Sequence, residues 1–120
     1  MDRTPNFRIR YRFYSPSESG RSSPPKQGYR SDWSYESENI DTDGIYMIWP
    51  RFLNESGKEI AQGSDIQAEG EANMYIVMEE MIPQHAPKLS VGVRGFLMEG
   101  GWRVAEATVI EVLSLAQPKT

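Results

Sequence analysis

The most regular pattern in the sequence is an alternation of apolar and polar residues near its beginning. In residues 7–13, four apolar side chains alternate with Arg8, Arg10 and Arg12. Successive side chains of a β-strand point to opposite faces, so a period of two is typical of a strand whose faces have different surroundings. This segment therefore predicts a strand with one face in a core and three arginines on its solvent face.

Similar alternation, or a short apolar run, predicts five further strands. These are residues 32–36, 45–49, 66–78, 89–98 and 102–113. In the first of them Trp33 and Tyr35 share one face, while Ser34 is expected on the other. The apolar run at residues 45–49 predicts a strand that is buried on both faces and ends at Pro50.

Residues 66–78 are predicted as one long strand that bends at Gly70. A helix is the alternative for part of this segment. Met74, Met78 and Met81 lie at helical spacing, with good helix formers between them. The alternation that begins at residue 66 favours the strand.

Segments rich in Ser, Pro and Gly separate the predicted strands. Residues 15–28 are predicted as a long loop, because their prolines cannot donate ladder hydrogen bonds. Residues 40–44 indicate a turn, and Pro83 and Pro87 bracket another loop. At residues 99–101, Glu-Gly-Gly predicts a tight hairpin turn, since glycine adopts positive φ angles at low cost.

Six strands with turns between them and little helix predict an all-β protein. The pattern alone is compatible with an antiparallel sandwich or with a small closed barrel. The 120 residues are enough for a single domain, residues 1–120. We expect its core to occupy about residues 7–113, with frayed tails on both sides.

Composition and charge exclude several classes of protein. The sequence has no cysteine, which excludes disulfides and thiolate chemistry. Its net charge is −4, yet residues 1–36 hold seven basic against four acidic residues. A basic strip for an anionic partner is one interpretation, and a solvated charged face is the other. With no signal peptide and no run of about 20 apolar residues, we expect a soluble cytoplasmic protein without membrane contact.

Motifs that carry chemistry are scarce. The single histidine, His85, lies in a proline-rich segment and is expected to face solvent, so no hydrolase triad can be assigned. The H-E-x-x-H motif, the EF-hand spacing and the phosphate-binding G-x-x-x-x-G-K-[ST] loop do not occur. The carboxylate pairs Glu69/Glu71 and Glu79/Glu80 are expected on exposed strand faces. We therefore predict that the protein is not an enzyme and takes no metal, cofactor or nucleotide.

Two segments at opposite ends of the chain carry motifs that occur together in a known domain. Residues 19–35, SGRSSPPKQGYRSDWSY, hold a Gly-Arg pair, a polar loop and a Gly-Tyr-Arg triplet before an aromatic-rich segment. Residues 93–113, VRGFLMEGGWRVAEATVIEVL, form the second segment. Both resemble the C-terminal β-barrel domain (domain 3) of translation elongation factor Tu, whose closing hairpin aligns with the second segment without a gap. The aligned positions are Gly92, Arg94, Glu99, Gly100, Gly101, Val104 and Val109.

This resemblance implies a six-stranded antiparallel barrel of Greek-key type, in a translation-related bacterial protein. The sequence departs from the family beside the Glu-Gly-Gly turn, where Met98 and Trp102 replace basic residues that lie near contacts to the GTPase domain. Since 120 residues leave no room for a GTPase domain, the chain is expected to correspond to one detached barrel.

The favoured function is a non-catalytic module that binds a protein partner, as an inhibitor- or immunity-type protein would. Exposed Trp and Met beside a turn are typical anchors for a partner. An alternative interpretation is that Trp102 caps the end of the barrel. The protein-binding candidates are Met98, Glu99, Gly100, Gly101, Trp102 and Arg103.

RNA binding is the alternative function, because the barrel of the elongation factor helps to grip transfer RNA. The RNA-binding candidates are Arg8, Arg10, Arg12, Arg21, Lys26, Tyr29, Arg30 and Trp33. In this interpretation the basic side chains contact phosphates and the aromatic rings stack on bases. The acidic net charge argues against it, and the arginines of the first strand could instead pair with glutamates on neighbouring strands.

Overall fold

The computed structural model describes residues 3–115, which form an all-β fold. In this part of the chain the strands are β1 Phe7–Phe13, β2 Asp32–Tyr35, β3 Ile48–Phe52, β4 Glu69–Ile76, β5 Arg94–Glu99 and β6 Trp102–Val112. The helical segments are α1 Ile40–Asp43, α2 Ile82–His85 and 3₁₀ turns at Pro16–Glu18, Glu79–Met81 and Ala86–Lys88. None of the helices described is long and apolar enough to cross a membrane. The predicted fold class is confirmed.

The six strands form one curled sheet in the order β2-β5-β6-β1-β4-β3. Every neighbouring pair in this order is antiparallel. The two edges of the sheet approach each other at Trp33 and Tyr46, whose backbones exchange N–H···O bonds of 2.9 and 2.8 Å. The sheet is therefore barrel-like, and the edges are joined at this residue pair.

The prediction for β1 is confirmed. Its four apolar side chains are buried in the core, while Arg8, Arg10 and Arg12 lie on the outer face. β2 differs from its prediction, because Ser34 is as buried as Trp33 and Tyr35. Other large side chains without exposed surface are Phe7, Ile9, Ile48, Met74 and Leu97.

Three predicted strands are shorter or shifted. β3 begins at Ile48 and continues through Pro50, which was expected to end it. This is physically allowed because β3 is an edge strand, where a residue without an N–H leaves no ladder bond unmade. β4 covers only Glu69–Ile76, after which the chain enters the helical turns, and β5 begins at Arg94 instead of residue 89.

The predicted turns are confirmed at the hairpin and differ elsewhere. Glu99 pairs with Trp102 across the turn, and Gly100 has φ of 60°. The turn at residues 40–44 contains α1, and the loop between Pro83 and Pro87 is helical. Proline is common in the first turn of a helix because its missing N–H has no partner there.

Asn6 connects the segment before β1 to the end of β4 and to the residues after β6, while the frayed tails stay a prediction. Its side chain accepts a hydrogen bond from the Ile76 N–H at 2.7 Å and donates one to the Ser114 carbonyl oxygen at 2.9 Å. Its own carbonyl oxygen accepts from the Leu113 N–H at 3.0 Å. The same prediction also covered residues 1–2 and 116–120, which lie outside the described residues.

Candidate binding sites

The predicted protein-binding surface lies on the β5–β6 hairpin, and only part of it is accessible. Met98 has 0% exposed surface, so its predicted role as an anchor is wrong. From Gly95 to Met98, β5 is buried on both faces, and a register shift against β6 falls between Leu97 and Met98. A simple alternation therefore does not describe the end of this strand.

The other residues of the hairpin make contacts within the protein. Trp102 is 42% exposed, but its indole N–H donates a hydrogen bond of 2.7 Å to the Ser19 carbonyl oxygen. The Arg103 guanidinium lies 4.1 Å from the centre of the Phe96 ring. Trp102 thus holds the loop after β1 against the hairpin, which agrees with the capping interpretation. Gly100 and Gly101 are exposed at the tip.

Glu99 is neutralised from within the protein. Its carboxylate accepts hydrogen bonds from the Arg21 guanidinium and the Tyr29 hydroxyl. Burial, followed by the contact with Glu99, raises the pKa of Tyr29, so the hydroxyl stays protonated. Arg21 and Tyr29, both predicted to bind RNA, thus form hydrogen bonds with Glu99, which was predicted to bind a protein.

The basic residues of the predicted RNA-binding strip are mostly paired with carboxylates. The pairs are Arg8 with Glu111 at 3.4 Å, Arg10 with Glu71 at 2.9 Å, Arg12 with Glu106 at 3.0 Å and Glu18 at 2.9 Å, Lys26 with Asp65 at 2.6 Å, and Arg21 with Glu99. Hydrogen bonds from Arg12 are the largest cause that lowers the pKa of Glu18, to about 2. The sequence left this pairing open, and the structure confirms it.

Trp33 has 0% exposed surface, so its predicted stacking on RNA is wrong. Its ring packs edge-on against Phe7 and Tyr35, with centroid distances of 5.6 and 5.9 Å. Gly95 makes this position possible, because a Cβ there would lie 2.3 Å from the Trp33 ring. Trp33 is therefore a residue of the hydrophobic core.

Arg30 is the remaining predicted RNA-binding residue, and it lies in a cleft of about 180 Å³. We call this the arginine–aromatic cleft; its lining includes Tyr29, Arg30, Trp49, Arg51 and Tyr75. The Arg30 guanidinium carbon is 4.8 Å from the centre of the Trp49 ring. Within residues 3–115, neither Arg30 nor Arg51 forms an ion pair with a carboxylate.

The loop after β1 is fixed to β3 in a way that builds this cleft. The buried Gln27 side chain donates to the Phe52 and Ile60 carbonyl oxygens, both at 3.1 Å, and accepts from the Phe52 N–H at 2.9 Å. Gly28 follows with φ of 103°, and a Cβ on it would lie 2.0 Å from Gln62. The absence of a side chain there leaves room for Gln62.

Gln62 lines the cleft, and Glu59, which is not among the lining residues, contacts the hydroxyl of Tyr75. The Gln62 Oε1 accepts a hydrogen bond of 2.8 Å from Arg51, which orients that guanidinium without neutralising it. The Tyr75 hydroxyl donates to Glu59. Burial is the main cause that raises the pKa of Tyr75, and Glu59 raises it further. The cleft therefore offers cationic donors beside aromatic surfaces.

Two residues of this cleft, Tyr29 and Arg30, were predicted from the sequence as RNA-binding residues, whereas the residues that β3 and β4 contribute were not predicted. Trp49 and Arg51 alternate with buried neighbours along β3, so a period of two extended through Pro50 would have placed them on the outer face. Interpreting Pro50 as the end of the strand hid that signal. Tyr75 follows the alternation of β4, and nothing in the sequence around it indicates a binding residue.

His85 is buried, so the prediction that it faces solvent is wrong. It is 2% exposed, and its Nδ1 lies 2.8 Å from the Tyr35 hydroxyl oxygen. Burial, with a smaller contribution from Lys88, lowers the pKa of His85, while Glu38 opposes this. The helical segment between the two prolines turns the imidazole inward. Within residues 3–115, no group of three or more His, Asp or Glu side chains is arranged to hold a metal ion.

No model of a known protein family matches the chain, and no curated protein matches it either. The resemblance to the C-terminal barrel domain of elongation factor Tu therefore stays a prediction.

Proposed function

We propose that the protein is a non-catalytic binding module whose arginine–aromatic cleft receives an acidic side chain of a protein partner. The observation that carries the proposal is the state of Arg30 and Arg51. Both line one cleft, and within the described residues neither has a carboxylate partner. The other basic residues predicted for RNA binding are paired.

The dimensions and chemistry of the cleft support a protein ligand. Its volume of about 180 Å³ is below the roughly 300 Å³ at which sites for small molecules and cofactors begin. It has room for one side chain. A guanidinium presents parallel N–H donors that match a carboxylate, and stacking of Arg30 on Trp49 holds that group in place. Arg, Trp and Tyr are also the residues that contribute most to protein interfaces.

RNA binding has less support. The three arginines of β1 would have to exchange cross-strand carboxylates for phosphates, and the acidic remainder of the chain repels a polyanion. More specifically, we propose that the protein acts as an inhibitor- or immunity-type protein in a bacterial cytoplasm. The resemblance to a barrel that packs against other domains in elongation factor Tu agrees with this class of function.

The experiment measures fluorescence anisotropy of labelled decapeptides that contain glutamate, aspartate and leucine, with glutamine and asparagine analogues as neutral probes. We expect the acidic peptides alone to bind. Arg30→Gln and Arg51→Gln should each weaken binding at least tenfold, since a hydrogen bond to a charged group contributes about 1.5 to 3 kcal/mol. Arg10→Gln is the matched control, because Arg10 is exposed, ion-paired with Glu71 and not among the residues that line the cleft.

Equal affinity in all variants, or no binding of the acidic peptides, would overturn the proposal. A single-stranded RNA probe of ten nucleotides is measured in parallel. If this RNA binds more tightly than the peptides, with a steep salt dependence that is lost in the two cleft variants, the RNA-binding alternative replaces our proposal.

A further inference from the structure

Three methionines converge on a second cleft, at the end of the sheet where β3 begins and β4 ends. Met47, Met78 and Met81 line a space of about 200 Å³ together with His85; the remaining lining residues are Ile45, Tyr46 and Ile76. We call this the methionine cleft. Met47 and Met78 are 46% and 43% exposed, so their side chains are accessible from solvent.

The backbone places these side chains on two neighbouring segments. The Val77 N–H donates to the Met47 carbonyl oxygen at 3.0 Å, which extends the β3–β4 pairing by one step and sets Met47 opposite Val77, the residue before Met78. The helical turns that follow carry Met81 and His85 on the same side of the chain. The cleft therefore lies between two segments of defined backbone structure, the extended β3–β4 pairing and the helical turns.

His85 is oriented by its neighbours. Its Nδ1 is occupied by the Tyr35 hydroxyl at 2.8 Å, and Tyr46 packs edge-on against the ring at 4.7 Å. Within residues 3–115, Nε2 has no hydrogen-bond partner. A histidine that binds a metal through one ring nitrogen usually makes a hydrogen bond with the other, which fixes the orientation of the ring. The contact with Tyr35 supplies such a bond.

The donor set is chemically selective. Thioether sulfurs are soft ligands that favour Cu(I), and imidazole binds copper as well, whereas calcium and magnesium require oxygen ligands. The lining holds no carboxylate among the described residues. The nearby cation Lys88 is balanced by Glu38 at 2.7 Å. A monovalent soft cation fits such a neutral site, because no carboxylate is present to compensate a second positive charge.

We propose that the methionine cleft is a Cu(I) site, in which the sulfurs of Met47, Met78 and Met81 and the Nε2 of His85 bind one ion. The proposal is independent of the arginine–aromatic cleft, which lies among other residues. It involves ligand binding alone, with no change in the oxidation state of the ion. The sequence signal is the run Met78-Glu-Glu-Met81-Ile-Pro-Gln-His85, which places two thioethers and an imidazole within two helical turns.

The test uses Ag(I) as a redox-inert probe and Cu(I) under anaerobic conditions in competition with a chromogenic chelator. The protein has no cysteine and one histidine, so thiolates and other imidazoles cannot account for binding. With methionine methyl groups labelled by ¹³C, we expect one equivalent of Ag(I) to shift Met47, Met78 and Met81. Met74 and Met98, which have no exposed surface, should keep their resonances.

Substitutions separate the site from general metal association. Met47→Leu and Met78→Leu each remove a sulfur at an exposed position, so the fold should be retained, and each should lower Cu(I) affinity at least tenfold. Met98→Leu is the control, because Met98 lies elsewhere and the exchange nearly conserves volume. Unchanged affinity in both cleft variants, shifts spread over all methionines, or the lack of a saturable one-to-one complex would each overturn the proposal.

Discussion

Gln27 should contribute to the stability of the protein and also holds in place the loop that forms one side of the arginine–aromatic cleft. Its side chain is 3% exposed and makes three hydrogen bonds, all to the backbone of Phe52 and Ile60. Gln27→Met nearly conserves volume while removing every one of these bonds. The substitution therefore tests the hydrogen bonds and leaves little cavity.

The expected loss of stability follows from the backbone groups that would be left without hydrogen-bond partners. The Phe52 N–H is buried and would have none, whereas the Phe52 carbonyl oxygen keeps a hydrogen bond of 3.1 Å from the Ile60 N–H. The Ile60 carbonyl oxygen would lose its side-chain donor. An unsatisfied buried group costs about 1 to 3 kcal/mol. With two such groups, one of them half-buried, we expect the free energy of unfolding to fall by about 2 to 4 kcal/mol.

Urea denaturation measures this loss directly. With an m-value of about 2 kcal/mol/M, the midpoint should fall by roughly 1 to 2 M while the slope stays constant. Gln84→Met is the matched control, because Gln84 is exposed on α2, and it should shift the midpoint by little. If Gln27→Met and Gln84→Met had the same midpoint, Gln27 would not be the tether that holds the loop after β1 to β3.

Three further predictions concern packing and ionisation. Gly95→Ala should lower the melting temperature by several degrees, because its Cβ would lie 2.6 Å from a backbone oxygen of β2, whereas Gly101→Ala, with open space around it, should change little. In Arg12→Gln, NMR titration should find the pKa of Glu18 raised from about 2 towards its usual value; no change would contradict the assigned ion pair. Burial raises the pKa of Tyr11 from 10.0 to about 12, so its stabilising contribution is complete below pH 10 and is lost as the pH rises through 12. Tyr11→Phe should therefore lose less stability than wild type between pH 10 and 12 in urea denaturation.

The parts of the fold that sequence predicted well are those where one residue type decides the local outcome. β1 was predicted because its alternation contrasts arginine with large apolar side chains, and arginine rarely enters a core. The hairpin at Gly100 was predicted because its backbone requires positive φ. In both places the local signal and the tertiary environment agree.

The predictions that were wrong depended on what covers a strand. Alternation predicted that Ser34 lies on the other face of β2 from Trp33 and is exposed, but the curled sheet buries both side chains. Met98 was interpreted as an exposed anchor because it lies beside the turn, where the elongation factor Tu domain has a basic residue, yet β5 is covered on both faces. His85 was assigned to solvent because prolines flank it, and the same prolines start helical turns that direct it inward. The alternation of residues shows which side chains share a face of a strand, but it does not show what packs against that face.

The distribution of charge explains why the arginine–aromatic cleft, and not the basic strip, carries our proposed function. Cross-strand pairing neutralises the arginines of β1, so the excess of basic residues in the first third of the sequence produces no basic surface there. An arginine without an ion pair is not enough to mark a site, since Arg103 also has none among the described residues and lies over a ring of its own sheet. What distinguishes Arg30 and Arg51 is convergence: two unneutralised guanidinium groups line one cleft beside aromatic rings. An acidic side chain of a partner would supply the carboxylate that neither guanidinium has among the described residues.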